Sequence, residues 1–127
     1  MSAFNQEGQQ VGTQVNVLDN LNQLATKIRE IAVAHGWEET TRSFAEEVAL
    51  WHSECSEALE EYRNGHAENE VYFGPDGKPE GIPIEAADVI IRILHWFARQ
   101  GLDAQAAVET KMVYNDSRPH RHGGKIL

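Results

Sequence analysis

From Val15 onward the apolar positions Val15, Leu18, Leu21, Leu24, Ile28, Ile31 and Ala32 recur every three or four residues, the period of an amphipathic helix. Gly36 is placed to end that helix as a left-handed cap residue. A second helix has a start signal in Ser43-Phe-Ala-Glu46, a capping-box pattern in which Ser43 is the N-cap and Glu46 reaches back. Its pattern runs to Tyr62 or Arg63 and stops at Asn64-Gly65. Residues 65–83 break the periodicity. They hold four of the ten glycines and three of the four prolines, so they read as one long loop, with Val71, Tyr72 and Phe73 as a short strand or apolar plug. A third helix runs from Ile84 through Val89, Ile90, Ile93, Leu94 and Phe97 to a stop at Gly101. Asp103 caps a fourth, from Ala104 to about Asp116, ending before Pro119. The fold class that follows is all-α, a four-helix bundle-like protomer with one long Gly/Pro-rich loop. Residues 1–13 read as a flexible polar N-terminus, 14–118 as the helical domain and 119–127 as a basic tail.

The polar positions add chemistry to this frame. Glu54-Cys-Ser-Glu57 and Glu85-Ala-Ala-Asp88 each set two carboxylates three residues apart, one above the other on a helix face. Between Glu46 and Glu61 the second helix carries six Glu and no Lys or Arg. Like-charged neighbours at this spacing cost a few tenths of a kcal/mol each, so the cluster is a local defect of about 1 kcal/mol. At 100° per residue Glu47, Glu54 and Glu61 share a stripe, matched on the third helix by Glu85, Asp88 and Arg92. Taken singly, either acidic pair is what a solvated helix face produces. Both, however, are embedded among apolar residues, so their faces are not wholly solvent-directed. Four converging carboxylates need a cation, and hard oxygen ligands select Mg²⁺, with Mn²⁺ as a substitute. A ferritin-like di-iron site would place His three residues after each motif acid. Glu57 and Asp88 stand there instead.

Lys111, Asn115 and Arg118 follow i, i+4, i+7 spacing on the fourth helix, a stripe suited to clamping phosphate; cations beside a helix C-terminus are the alternative. Trp51, one turn before Glu54, and Trp37, just after the first helix, are candidates to stack on a base or to pack as ordinary aromatics. His35, His52 and His95 lack ligand spacing and read as structural; His120 and His122 lie in the basic tail.

At 127 residues the chain is long enough for one domain with a real core. A net charge of −9 argues against a general nucleic-acid binder. The single cysteine, Cys55, excludes an internal disulfide, fits a reducing cytoplasm and reads as a buried spectator thiol. No stretch approaches 18 apolar residues and no basic-then-apolar leader opens the chain, so neither a membrane partner nor export is expected.

Together HSECSEALEEYR (52–63), EAADVIIRIL (85–94) and KMVYNDSRPHRHGGK (111–125) resemble the MazG-like nucleoside triphosphate pyrophosphohydrolases, the all-α group that includes the dimeric dUTPases. The resemblance spans residues 15–127. It implies Glu54, Glu57, Glu85 and Asp88 as Mg²⁺ ligands, with Glu54 or Glu57 taking the proton of the attacking water. It places Lys111, Asn115 and Arg118 in contact with the nucleoside triphosphate substrate, to which Trp51 and Arg92 are added as substrate-binding candidates from their own places on the stripes. It also implies cleavage between the α- and β-phosphates, and a homodimer or dimer of dimers. The apolar face of Ile93, Trp96 and Phe97 points to an oligomer on its own account. One departure stands out: the first acid of the family's E-E-x-x-E is Ser53 here, which is the support for a helical regulatory module without turnover. An acidic cation-binding bundle with no nucleotide role is the third reading, against which the Lys111/Asn115/Arg118 stripe argues.

Overall fold

A computed structural model describes residue 7 and residues 20–119. Val15, Leu18, most of the N-terminal arm, and His120 and His122 of the tail lie outside these residues. The elements follow in the order α1 (Leu21–Ala34), α2 (Phe44–Arg63), β1 (Tyr72–Phe73), β2 (Pro79–Glu80), α3 (Ile82–Gln100) and α4 (Ala104–Ser117). The fold is all-α, with one two-residue antiparallel hairpin pairing Tyr72 with Glu80 and Phe73 with Pro79.

Local chemistry sets the helix ends. Asn20 caps α1 by accepting from the Gln23 N–H. Ser43 and Glu46 form the complete capping box of α2, each side chain accepting from the other's backbone N–H. Asp103 accepts from the Ala106 N–H to cap α4. Helix α3 starts two residues before the expected Ile84 because Pro83, which has no N–H to leave unpaired, is favoured in a first turn. It stops at Gly101, whose φ of 66° is left-handed. Gly81, just before α3, has φ 119°, and a methyl group there would run into the Glu70 carbonyl oxygen. The tight passage from hairpin to helix therefore requires glycine.

Helix α3 is the centre of the protomer, in contact with α1, α2, α4 and β2. The core is small. Ala25, Leu94 and Ala104 are buried, with Leu21, Leu24, Ile28, Phe97 and Ala98 packed around them. Phe44, Trp51, Trp96 and Phe97 form an aromatic run along α2 and α3, with ring centroids 5.0–6.0 Å apart. Val71 is buried beside β1, so the loop supplies both a strand and an apolar plug. Helix α4 docks only through its first turn. Ala104 is buried and Gln105 half-buried, while every residue from Ala106 to Ser117 is exposed.

Candidate functional site

The polar stripes of α2 and α3 face each other as a ladder. Arg99 Nη1 lies 3.2 Å from Glu47 Oε1. One heptad along, Arg92 Nε lies 2.5 Å from Glu54 Oε1. A step of seven residues along α2 is thus matched by seven back along α3, so the two helices run antiparallel. The next rung has no cation on either side. There α3 presents Asp88 and Glu85 toward Glu54 and Glu57, and acids face acids.

Oxygens of Glu54, Glu85 and Asp88 all lie within 4.8 Å of one another. Glu54 is only 7% exposed, so its charge depends on what stands beside it. Glu85 Oε2 is buried with no hydrogen-bond partner among the described residues. Burial pushes the Glu85 carboxyl up to about 7, helped by a hydrogen bond with Glu57 and by the charges of Glu57, Asp88 and Glu54. Asp88 is raised as well, first by burial and then by Glu54, with Arg92 and Lys78 pulling the other way.

This arrangement fits a hard divalent cation. The donors are all carboxylate, one oxygen is orphaned, and ligands on one Mg²⁺ at 2.0–2.1 Å stand roughly 3–4 Å apart, so rotamer-scale closure completes the set. The structure brings three of the four expected ligands together. Glu57 is exposed and stands outside that cluster.

A cleft of about 380 Å³ opens beside the acids. Glu54, Asp88 and Arg92 line it together with Trp37, Arg42, Ile91 and His95. Arg42 is held by Glu47 at 3.4 Å. His95 Nε2 is 2.6 Å from Glu38 Oε2. Burial would raise the Glu38 carboxyl, but hydrogen bonds from His95 and Arg29 outweigh it and hold the group below its usual range. Trp37 is 58% exposed, held by its N–H to the Ala32 carbonyl at 2.9 Å. The cleft thus sets two arginines and a histidine, each already paired with a carboxylate, beside the acidic cluster.

No family model, curated protein or solved structure matches the chain. The reading of the site therefore stands on geometry.

The other expected contacts fall elsewhere. Trp51 packs in the aromatic run with Phe44 and Trp96 and is not among the cleft residues. Lys111, Asn115 and Arg118 are exposed on α4; Lys111 and Arg118 lie over the Tyr114 ring, 4.9 and 5.8 Å from its centroid. None of the three lines this protomer's cleft. Cys55 is exposed, not buried as expected, because its helix position turns away from α3. Arg42, His95 and Lys78 were not singled out in the sequence as site residues. For His95 a signal existed: 85, 88, 92, 95 and 99 alternate steps of three and four, the spacing of a helix seam.

The loop is tied down next to the site. The Tyr72 hydroxyl donates to Glu61 at 2.8 Å and is pushed up to about 12, chiefly by that bond. His66 stacks on Tyr72, centroids 4.5 Å apart, and pairs with Glu70 and Glu61 at 3.1 and 3.5 Å. Glu61, on the same stripe as Glu47 and Glu54, is thereby committed to the hairpin.

Proposed function

We propose that this chain is a Mg²⁺-dependent nucleoside triphosphate pyrophosphohydrolase of the MazG-like kind. It would cleave (d)NTPs between the α- and β-phosphates to a nucleoside monophosphate and pyrophosphate, as a cytoplasmic house-cleaning activity on the nucleotide pool. The observation that carries the reading is the acid-only rung of the α2–α3 ladder, opening onto a cleft walled by arginines and a tryptophan.

Glu54, Glu85 and Asp88 would hold the cation, with Glu57 joining as Glu85 gives up its proton. A divalent ion so held, Mg²⁺ or Mn²⁺, neutralises phosphate charge and acidifies a bound water. Glu57 is exposed and outside the three-acid cluster, which favours it over Glu54 as acceptor of the water's proton. Arg92 and Arg42 would bind the phosphates, and Trp37 offers a ring face for the base. Lys111, Asn115 and Arg118 would serve a cleft only in a homodimer or dimer of dimers, through α4 of a neighbouring copy.

The test is incubation with a panel of NTPs and dNTPs plus Mg²⁺, followed by assay of pyrophosphate. Pyrophosphate from at least one nucleotide is expected; none from any would sink the proposal. Nucleotide binding without turnover would favour the regulatory module that Ser53 suggests.

A further inference from the structure

Arg92 stands between two kinds of ligand. Its Nε holds Glu54, and both residues line the cleft together with Asp88. Oxygens of Asp88 and Glu85 also lie within 4.8 Å of a Glu54 oxygen, while Arg42, the other arginine of the cleft, is held by Glu47. Arg99, one heptad further along the same stripe, differs from it. Arg99 is engaged by two carboxylates, Glu47 and Glu38, with its side chain 17% exposed. Arg92 engages one carboxylate through Nε and its side chain is 33% exposed. Arg99 is a fixed strut, whereas the terminal nitrogens of Arg92 remain available to an acceptor in the cleft.

We propose that Arg92 exchanges partners: it neutralises Glu54 while the acid cluster is without a cation, and turns its guanidinium to the phosphate chain in the cleft once Glu54 engages one. The inference rests on the metal-site reading above and adds to it a coupling between metal and polyphosphate. Its cause is electrostatic. A buried Glu54 held by a guanidinium cannot also give its full charge to a divalent ion, and a positive charge beside that ion is repelled. Release from Glu54 costs Arg92 a charge-assisted bond, which two oxygens of a phosphate group replace bidentately. Polyphosphate therefore favours metal binding and, by linkage, metal favours polyphosphate to the same factor.

The experiment is calorimetric titration of the full chain and of Arg92→Ala and Arg92→Lys. Each is titrated with Mn²⁺ alone, then with methylenediphosphonate at zero and at saturating Mn²⁺. Chelation in solution is the same for all three proteins and cancels in the comparison. Arg92→Ala should bind Mn²⁺ alone at least as tightly as the wild type, and should lose the mutual enhancement by about tenfold or more. Arg92→Lys, which keeps the charge without the fork, should fall between. Thermal melts establish that each variant is folded. Weaker Mn²⁺ binding by Arg92→Ala with an unchanged enhancement would overturn the exchange and leave Arg92 a strut like Arg99. Absence of Mn²⁺ binding to the wild type would overturn the metal site itself, and the exchange with it.

Discussion

Glu85 shows most directly what the acid cluster costs. Its carboxyl is raised to about 7 by burial and by three acidic neighbours, and one of its oxygens has no partner. Replacing it with Gln removes like-charge repulsion while keeping the shape. Glu85→Gln should therefore stabilise the protein in EDTA by about 1 kcal/mol, a few tenths for each acidic neighbour. Mg²⁺ should raise the melting temperature of the wild type through preferential binding to the folded state, and Glu85→Gln should lose that rise. Paired melts check both; a less stable variant in EDTA would show that the cluster is not strained. At this scale Glu54, Glu57, Glu85, Asp88 and Arg92 were legible because helical spacing alone puts them on facing stripes. Trp37 was a candidate from its place just after the first helix, and it lines the cleft; Arg42 was not, because it reaches the cleft from a loop, where periodicity says nothing.

At the scale of elements, side-chain caps open α1, α2 and α4. Asp103 is held below its ordinary 3.8 by the Asn22 amide and then by the Ala106 N–H. A folded value below the unfolded one means that the unfolded chain binds more protons in that window. The stabilisation is complete above about pH 3.8 and is lost as pH falls through the folded value. Glu38 contributes a loss of the same sign below 4.5. Asp103→Asn, which still caps, should flatten the lower part of that acid limb and leave neutral-pH stability nearly unchanged. Urea midpoints from pH 2 to 6 read this out; an identical acid limb in the variant would contradict it. The caps at Ser43 and Asp103 and the stop at Gly101 could be read from the sequence, since each is a contact within a few residues. The hairpin's anchoring could not. Tyr72 finds Glu61 across eleven positions, and the closeness of Gly81 to Glu70 is a property of folded backbone.

For the whole molecule, the core is small and much apolar surface stays outside. Met112 is 62% and Val113 72% exposed on α4, which is undocked beyond its first turn. No helix among the described residues is long and apolar enough to cross a membrane. A second copy of the chain is the proposed cover. Sedimentation should give two or four times the chain mass, and Met112→Glu with Val113→Glu should reduce it without unfolding, since neither side chain is in the core. A monomeric wild type would refute the assembly and leave Lys111, Asn115 and Arg118 without a cleft to serve. The four-helix frame was legible from periodicity, but the way α4 leaves the bundle was not, because its pattern gives a helix and no docking face. The central claim is that the acids of α2 and α3 bind a cation and direct cleavage of a nucleoside triphosphate. Phosphorus NMR of nucleotide turnover in Mg²⁺, by the wild type and by Asp88→Asn, tests it most directly. Monophosphate and pyrophosphate in equal amounts are predicted, falling by at least about 100-fold in the variant, the upper end of what even outer-shell changes at metal sites cost. Diphosphate with inorganic phosphate as products, or undiminished turnover by Asp88→Asn, would contradict it.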